Sequence, residues 1–278
     1  MSLTLGSGPL GTSPAGRFNA ALAFPGRPLL LDPVPYRVRA IADGETVLDT
    51  ERAALLHEHG HLPVFYAPLE DFRADLLEPS GTSTHCPFKG DASYLHLRLP
   101  GRRLDDAIWR YAEPIASAAW LAPLAALRFD AADRWLCEDA DVIGHPRDPY
   151  HRIDVLPTSR QVSISLHGVV LAATSRALML CETALPRRLY IPAEDVREAL
   201  LVPSATVTTC AYKGHASYRS VRGDGFEEAD LLWTYEDPAP EVGAIRGHWC
   251  FFDERVDVDV DGVRQARPRT PWSPPETG

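Results

Sequence analysis

The sequence predicts a mainly β protein made of two tandem copies of one antiparallel domain, and three observations carry that reading. Thr84-His85-Cys86-Pro87-Phe88-Lys89-Gly90-Asp91-Ala92-Ser93-Tyr94 returns 124 residues later as Thr208-Thr209-Cys210-Ala211-Tyr212-Lys213-Gly214-His215-Ala216-Ser217-Tyr218. From Thr50/Thr174 to Pro114/Pro238 the register holds without a gap, and 28 of 65 positions are identical. A repeat of this length is a duplicated domain rather than a solenoid unit, and 278 residues suit two domains. Short runs alternate apolar and polar residues, the period of a half-buried strand. The 25 prolines favour short strands and turns over long helices.

Taken in order, residues 1–35 are rich in Gly, Pro, Ser and Ala and are expected to form a mobile lead-in. The first repeat domain is expected over 36–141. Tyr36-Arg37-Val38-Arg39-Ala40 alternates as a strand, and Asp43-Gly44 turns it into Thr46-Val47-Leu48, a hairpin. Pro63-Val64-Phe65-Tyr66 reads as a strand ended by Pro68, and Glu70-Asp71 open a short helical stretch to Leu77. His145 to Arg152 is rich in proline and charge, so 142–161 reads as a connector. The second repeat domain, 162–263, follows the same order: Val162 to Leu166 and the His167-Gly168 turn, then Arg188 to Ile191 with Pro192, then Glu194-Asp195 to Leu201. Val256 to Asp261 alternates strictly, the clearest strand in the chain, and 264–278, with four prolines, reads as a loose tail.

Composition narrows the function classes. A net charge of −10 with scattered Lys and Arg argues against a nucleic-acid surface, which requires a basic stripe. No window approaches 18 unbroken apolar residues, and no basic region precedes a long apolar stretch, so neither a membrane helix nor a signal peptide is expected. Five widely spaced cysteines without a C-x-x-C pair suit reduced thiols, hence a cytoplasmic protein.

Residues kept in both copies define the candidate site. Cys86 and Cys210 stand three residues before Lys89 and Lys213, each followed by glycine, so a tight turn would bring ammonium to sulfur. Such a pairing would lower the thiol pKa from about 8.5 and favour a nucleophilic thiolate. The lysine would alternatively hold a phosphate or carboxylate, and the cysteine would alternatively fill buried space. Glu58 and Glu182 close apolar runs; burial would raise their pKa and suit acid–base work. They would equally serve as salt-bridge partners of Arg52/Arg176 or Lys89/Lys213. Tyr66/Tyr190, Tyr94/Tyr218, Trp109/Trp233 and Tyr111/Tyr235 repeat as an aromatic set, either core or pocket lining. Arg52, Arg176 and the first three of these aromatic pairs are the candidate ligand-binding residues.

His57, His59 and His61 alternate, and on one strand would share a face like a metal site. The second copy has Cys181, Thr183 and Leu185 there, so the cluster lies outside the shared machinery and no metal is expected. Gly-rich phosphate loops, a G-x-S-x-G elbow and a Walker motif are absent, so no cofactor is expected either.

The motif T-x-C-x-x-K-G-x-A-S-Y, with the upstream R-A-x-x-L-x-E and the Y-x-P-x-E-D stretch, resembles the bacterial and fungal domain-of-unknown-function family four hundred and twenty-seven, sometimes labelled nucleotidyltransferase-like. The resemblance covers both copies. It implies compact antiparallel domains of the β-tent type with short helical turns, a shape shared with several zinc-binding modules. This chain lacks the paired cysteines of those modules, so the resemblance extends to the shape and not to the metal. Because members are often single-domain, it also implies that the tandem folds as an internal pseudo-dimer.

Three functional readings follow. One is a small-molecule enzyme using Glu58/Cys86/Lys89 and Glu182/Cys210/Lys213, with Cys as nucleophile, Lys as anion holder and Glu as acid or base. A second is a non-catalytic module in which the same Lys and aromatics hold a small anionic metabolite. The third is a structural protein whose repeated motif secures the fold.

Overall fold

The computed structural model describes Thr4, Gly11 and residues 27–275; the rest of the lead-in and residues 276–278 lie outside the described residues. Contacts divide the chain into two units, Met1–Tyr150 and His151–Gly278.

Eleven strands build the first repeat: β1 (Leu29–Pro33), β2 (Val38–Ala42), β3 (Glu45–Thr50), β4 (Ala54–Glu58), β5 (Val64–Pro68), β6 (Leu77–Cys86), β7 (Gly90–Arg98), β8 (Arg103–Arg110), β9 (Leu124–Leu127), β10 (Arg134–Cys137) and β11 (Ala140–Val142). They form a seven-stranded sheet in the order β1-β4-β5-β9-β8-β7-β6 and a four-stranded sheet β11-β10-β2-β3, with every pairing antiparallel. The β2–β3 hairpin turns at Asp43 and Gly44, both at positive φ (52° and 77°), the primed geometry that matches strand twist. In place of one helical stretch after Pro68 there are two 3-10 turns, Leu69–Asp71 and Ala74–Leu76.

The second repeat follows the same plan with β12 (Ile153–Pro157), β13 (Val162–Leu166), β14 (Val169–Thr174), β15 (Leu178–Glu182), β16 (Arg188–Pro192), β17 (Leu201–Cys210), β18 (Gly214–Gly223), β19 (Phe226–Tyr235), β20 (His248–Phe251), β21 (Asp257–Val260) and β22 (Val263–Arg264). Its sheets run β12-β15-β16-β20-β19-β18-β17 and β14-β13-β21-β22.

Three segments differ from the boundaries expected from composition. β1 falls within the lead-in and pairs with β4 from Leu29↔Glu58 to Pro33↔Ala54, while β12 falls within the connector and pairs with β15. Both are edge strands ending in proline, a residue edges tolerate, so the surrounding Gly and Pro hide a genuine apolar run. The tail beyond 264 is tied to the second repeat by Arg267 Nη2 donating to Asp257 (2.9 Å) and Thr270 Oγ1 to Glu254 (2.6 Å). Proline content forbids ladder bonds there but not side-chain ones.

Strands β4, β5 and β9 of the seven-stranded sheet of the first repeat are buried on both faces. One face packs Leu55, Phe65, Leu97 and Ile108 against Val38, Ala40 and Val47 of the four-stranded sheet. The other carries Leu56, Tyr66, Ala92, Tyr111 and Ala126 under Ala118 and Leu121 of a 3-10 segment. Each large side chain removed from water contributes about 1.5–3 kcal/mol. Strand alternation puts Leu56 with Glu58, Val64 with Tyr66, Ala92 with Tyr94, and Trp109 with Tyr111 on that second face.

Candidate functional site

Glu58 is the last residue of β4, where the sheet face meets the turn linking β6 to β7. That turn is the repeated motif. Lys89 N–H donates to Cys86 O (3.2 Å), closing a tight turn, and Gly90 follows at φ 103°. A Cβ on Gly90 would lie 3.3 Å from Ile115 N, which donates to Lys89 O (3.1 Å), so glycine serves both the conformation and the close approach. The turn aims Lys89 inward to hydrogen-bond Glu58 Oε2. Arg27 Nη1 donates to the other oxygen, Oε1, at 3.0 Å, and also lies 2.8 Å from His61 Nε2. An arginine can only donate, so His61 Nε2 accepts in this contact. The Lys89 ammonium also lies 5.7 Å from the Tyr111 ring centre.

The carboxylate is therefore poised differently from the sequence expectation. Burial pushes Glu58 up, but the Lys89 bond and charge, with the Arg27 bond, outweigh it and hold Glu58 below its ordinary range. The ammonium serves Glu58, while Cys86 packs against the buried face that carries Ala92 and Tyr111. The expected ammonium–thiol pairing gives way to an ion pair.

Beside this pair opens a cleft of about 300 Å³. Leu56, Leu62, Val64, Tyr66 and Trp109 form its walls, and Glu58, His61 and Lys89 its polar end. Trp109 Nε1 donates to Tyr66 Oη (2.9 Å) with the rings edge to face, fixing the indole wall. Among the described residues two cations, Arg27 and Lys89, meet one carboxylate, leaving one net positive charge at this end.

The second repeat keeps the pair and closes the space. Lys213 Nζ donates to Glu182 Oε2 (2.5 Å), and His151 Nε2 donates to Oε1 (3.0 Å). His151 stands 124 residues after Arg27 and stacks on Tyr212 (3.8 Å) as Arg27 caps Phe88 (4.8 Å). Against burial, these bonds bring Glu182 down to about 2. Where the first repeat has Val64, the second has Arg188, 8% exposed, bidentate to Glu254 (2.8 and 2.6 Å) and 5.7 Å from the Trp233 ring centre. Phe252 covers the same indole at 4.6 Å, and Trp233 Nε1 bonds Tyr190 Oη (3.3 Å).

Other sequence-selected residues lie elsewhere. Arg52 and Arg176 are exposed and grip Asp71/Glu70 and Asp195/Glu194, bracing the 3-10 turns rather than facing the cleft. An arginine next to an acidic turn finds its partner locally, which the spacing alone does not reveal. Tyr94 and Tyr218 bond Thr84 and Thr208 across the β6–β7 and β17–β18 pairs (both 2.8 Å). His57 is buried within β4, whereas His59 and His61 lie in the exposed turn closed by His61 N–H to Glu58 O, so the three do not share a face. Sequence reasoning missed Arg27, His61, Leu62 and Val64. Identity at the 124 offset passes over Arg27/His151 because the residue changes while the bond to the carboxylate persists.

Fold and site together define a tandem antiparallel β protein with one buried Glu–Lys pair per repeat. The chain belongs to the family described as "Domain of unknown function (DUF427)", whose model matches residues 30–138 and again 154–262. The first match takes in all but the first residue of β1, and the second all but the first residue of β12. No curated protein matches the chain, and no helix among the described residues is long and apolar enough to cross a membrane.

Proposed function

We propose that the first repeat is a non-catalytic binding module for a small anionic molecule with an apolar or aromatic body. The observation that carries this reading is the cleft itself: an indole and aliphatic wall ending at Arg27, Lys89 and Glu58 with one net positive charge, in a chain whose net charge is −10. Pockets of this kind, mostly apolar with a few convergent polar groups, are where small molecules bind. The anion would take the free guanidinium donors of Arg27, and the body would lie along Trp109.

Support for a catalytic role is thinner. Glu58 is held ionised by its partners rather than raised toward neutrality, and Lys89 is committed to it. A general acid or a thiol-activating lysine needs the opposite arrangement.

Titration calorimetry of the full chain tests the proposal with phenylacetate and phenyl phosphate as probes and benzylamine as the opposite-charge control. The anions are expected to bind and benzylamine not to. Val64→Trp, which fills the cleft, and Arg27→Ala, which removes the second cation at its polar end, are each expected to weaken the anions at least tenfold. Equal binding of benzylamine, or full affinity in Val64→Trp, would rule the reading out.

A further inference from the structure

The two copies diverge at a second place, on the opposite face of the large sheet. In the first repeat Phe65, Trp135 and Phe129 stack in series, with centroids 5.7 and 5.6 Å apart, and fill the end of the core. Phe65 and Phe129 correspond to Leu189 and Asp253 at the 124 offset. Trp135 corresponds to Val258, because Trp135 pairs with Ala40 on β2 as Val258 pairs with Ile164 on β13. Three aromatic rings thus become Leu, Asp and Val. All three replacements line a cavity of about 170 Å³, whose lining also includes Gln265 to Pro268. A cavity of about 150 Å³ takes up benzene, so this one has room for a compact aliphatic body.

Its polar groups are unevenly satisfied. The Asp253 side chain is 16% exposed, and the cation beside it, Arg188 Nη1 at 3.9 Å, is committed to Glu254 by two shorter bonds. Burial pushes the Asp253 carboxyl up to about 6, as expected of a carboxylate short of a partner. At the rim Arg187 donates to the neutral Gln265 (2.8 Å) and has no carboxylate in ion-pair contact among the described residues, while Arg267 is paired with Asp257 (2.9 Å).

We propose that this cavity is a second small-molecule site, taking an aliphatic amino acid whose ammonium pairs with Asp253, whose carboxylate pairs with Arg187 and whose hydrocarbon lies against Leu189, Val256, Val258 and Pro268. Burying Asp253 costs free energy unless a cation meets it, and the rim guanidinium selects the other end of the same molecule. The site is independent of the cleft in the first repeat.

Calorimetry of the full chain at pH 7 tests it with L-leucine and 5-aminopentanoate, which separate α from ω spacing. Isopentylamine and 4-methylpentanoate each lack one charge. At least one zwitterion is expected to bind tenfold more tightly than either singly charged analogue. The affinity is expected to fall about tenfold at pH 5, as Asp253 takes up a proton. Asp253→Asn keeps the shape and is expected to cost tenfold or more, and Asp253→Phe restores a ring and is expected to abolish binding. Val64→Trp is expected to leave it unchanged. Failure of both zwitterions to bind, an amine as tight as the zwitterions, or undiminished affinity in Asp253→Asn would overturn the proposal.

Discussion

Replacing Lys213 by methionine removes the closest cation from Glu182, a carboxylate whose side chain is only 6% exposed. That carboxyl sits at about 2 against its ordinary 4.5, because its bonds to His151 and Lys213 outweigh burial. A buried pair that loses one member typically loses about 3–5 kcal/mol, and because His151 stays bonded to Glu182 the low end of that range applies. Lys213→Met is therefore expected to lower unfolding free energy at pH 7 by about 3 kcal/mol, read from urea denaturation followed by circular dichroism. Lys89→Met is expected to cost less, because Glu58 keeps Arg27 and is 12% exposed. The folded pKa of Glu182 is depressed, so its contribution is complete above the unfolded value near 4.5 and is lost as pH falls toward 2. The gap between wild type and Lys213→Met should narrow across that window. In Glu182→Gln/Lys213→Met no buried charge is stranded, so most of the loss should be recovered. A double variant that loses the sum of the single losses, or a gap that widens in acid, would refute this reasoning.

The remaining expectations concern other parts of the structure. Gly90→Ala forces a side chain onto φ 103° and within 3.3 Å of Ile115 N, and should destabilise by about 1–3 kcal/mol in the same urea assay. Arg52→Ala and Arg176→Ala break exposed ion pairs away from the cleft, so phenylacetate affinity should stay at wild-type level in calorimetry. Burial raises the Cys137 thiol to about 11 and Cys250 well above its ordinary value, so peptide mapping after thiol labelling at pH 8 should find both unmodified until urea unfolds the chain.

Much of the architecture is readable because strands of this length leave a period-2 trace and the duplication prints it twice. Of the four cleft residues on β4 and β5, Leu56, Glu58, Val64 and Tyr66, the repeat singles out Glu58 and Tyr66, and their shared face emerges once both strands are in place. What escapes counting is whatever depends on a partner distant in sequence. Glu58 looks like a carboxylate raised by burial until Arg27 and Lys89, each 31 residues away, reach its two oxygens. β1 escapes for the complementary reason: three leucines flanked by Gly and Pro carry little signal until β4 pairs with them. Divergence is equally silent in one copy read alone. Val64 and Arg188 are unremarkable residues, yet the first leaves an indole wall open and the second covers it.

The indole N–H resonances of the six tryptophans offer the most direct test of the first-repeat cleft. A ¹H–¹⁵N spectrum of the full chain, titrated with phenylacetate and with Trp109 and Trp233 assigned through Trp109→Phe and Trp233→Phe, reports on both repeats at once. Progressive, saturable movement of the Trp109 resonance, with Trp233 stationary beneath Arg188 and Phe252, is the expected result. A stationary Trp109, or equal movement of both, would contradict the account.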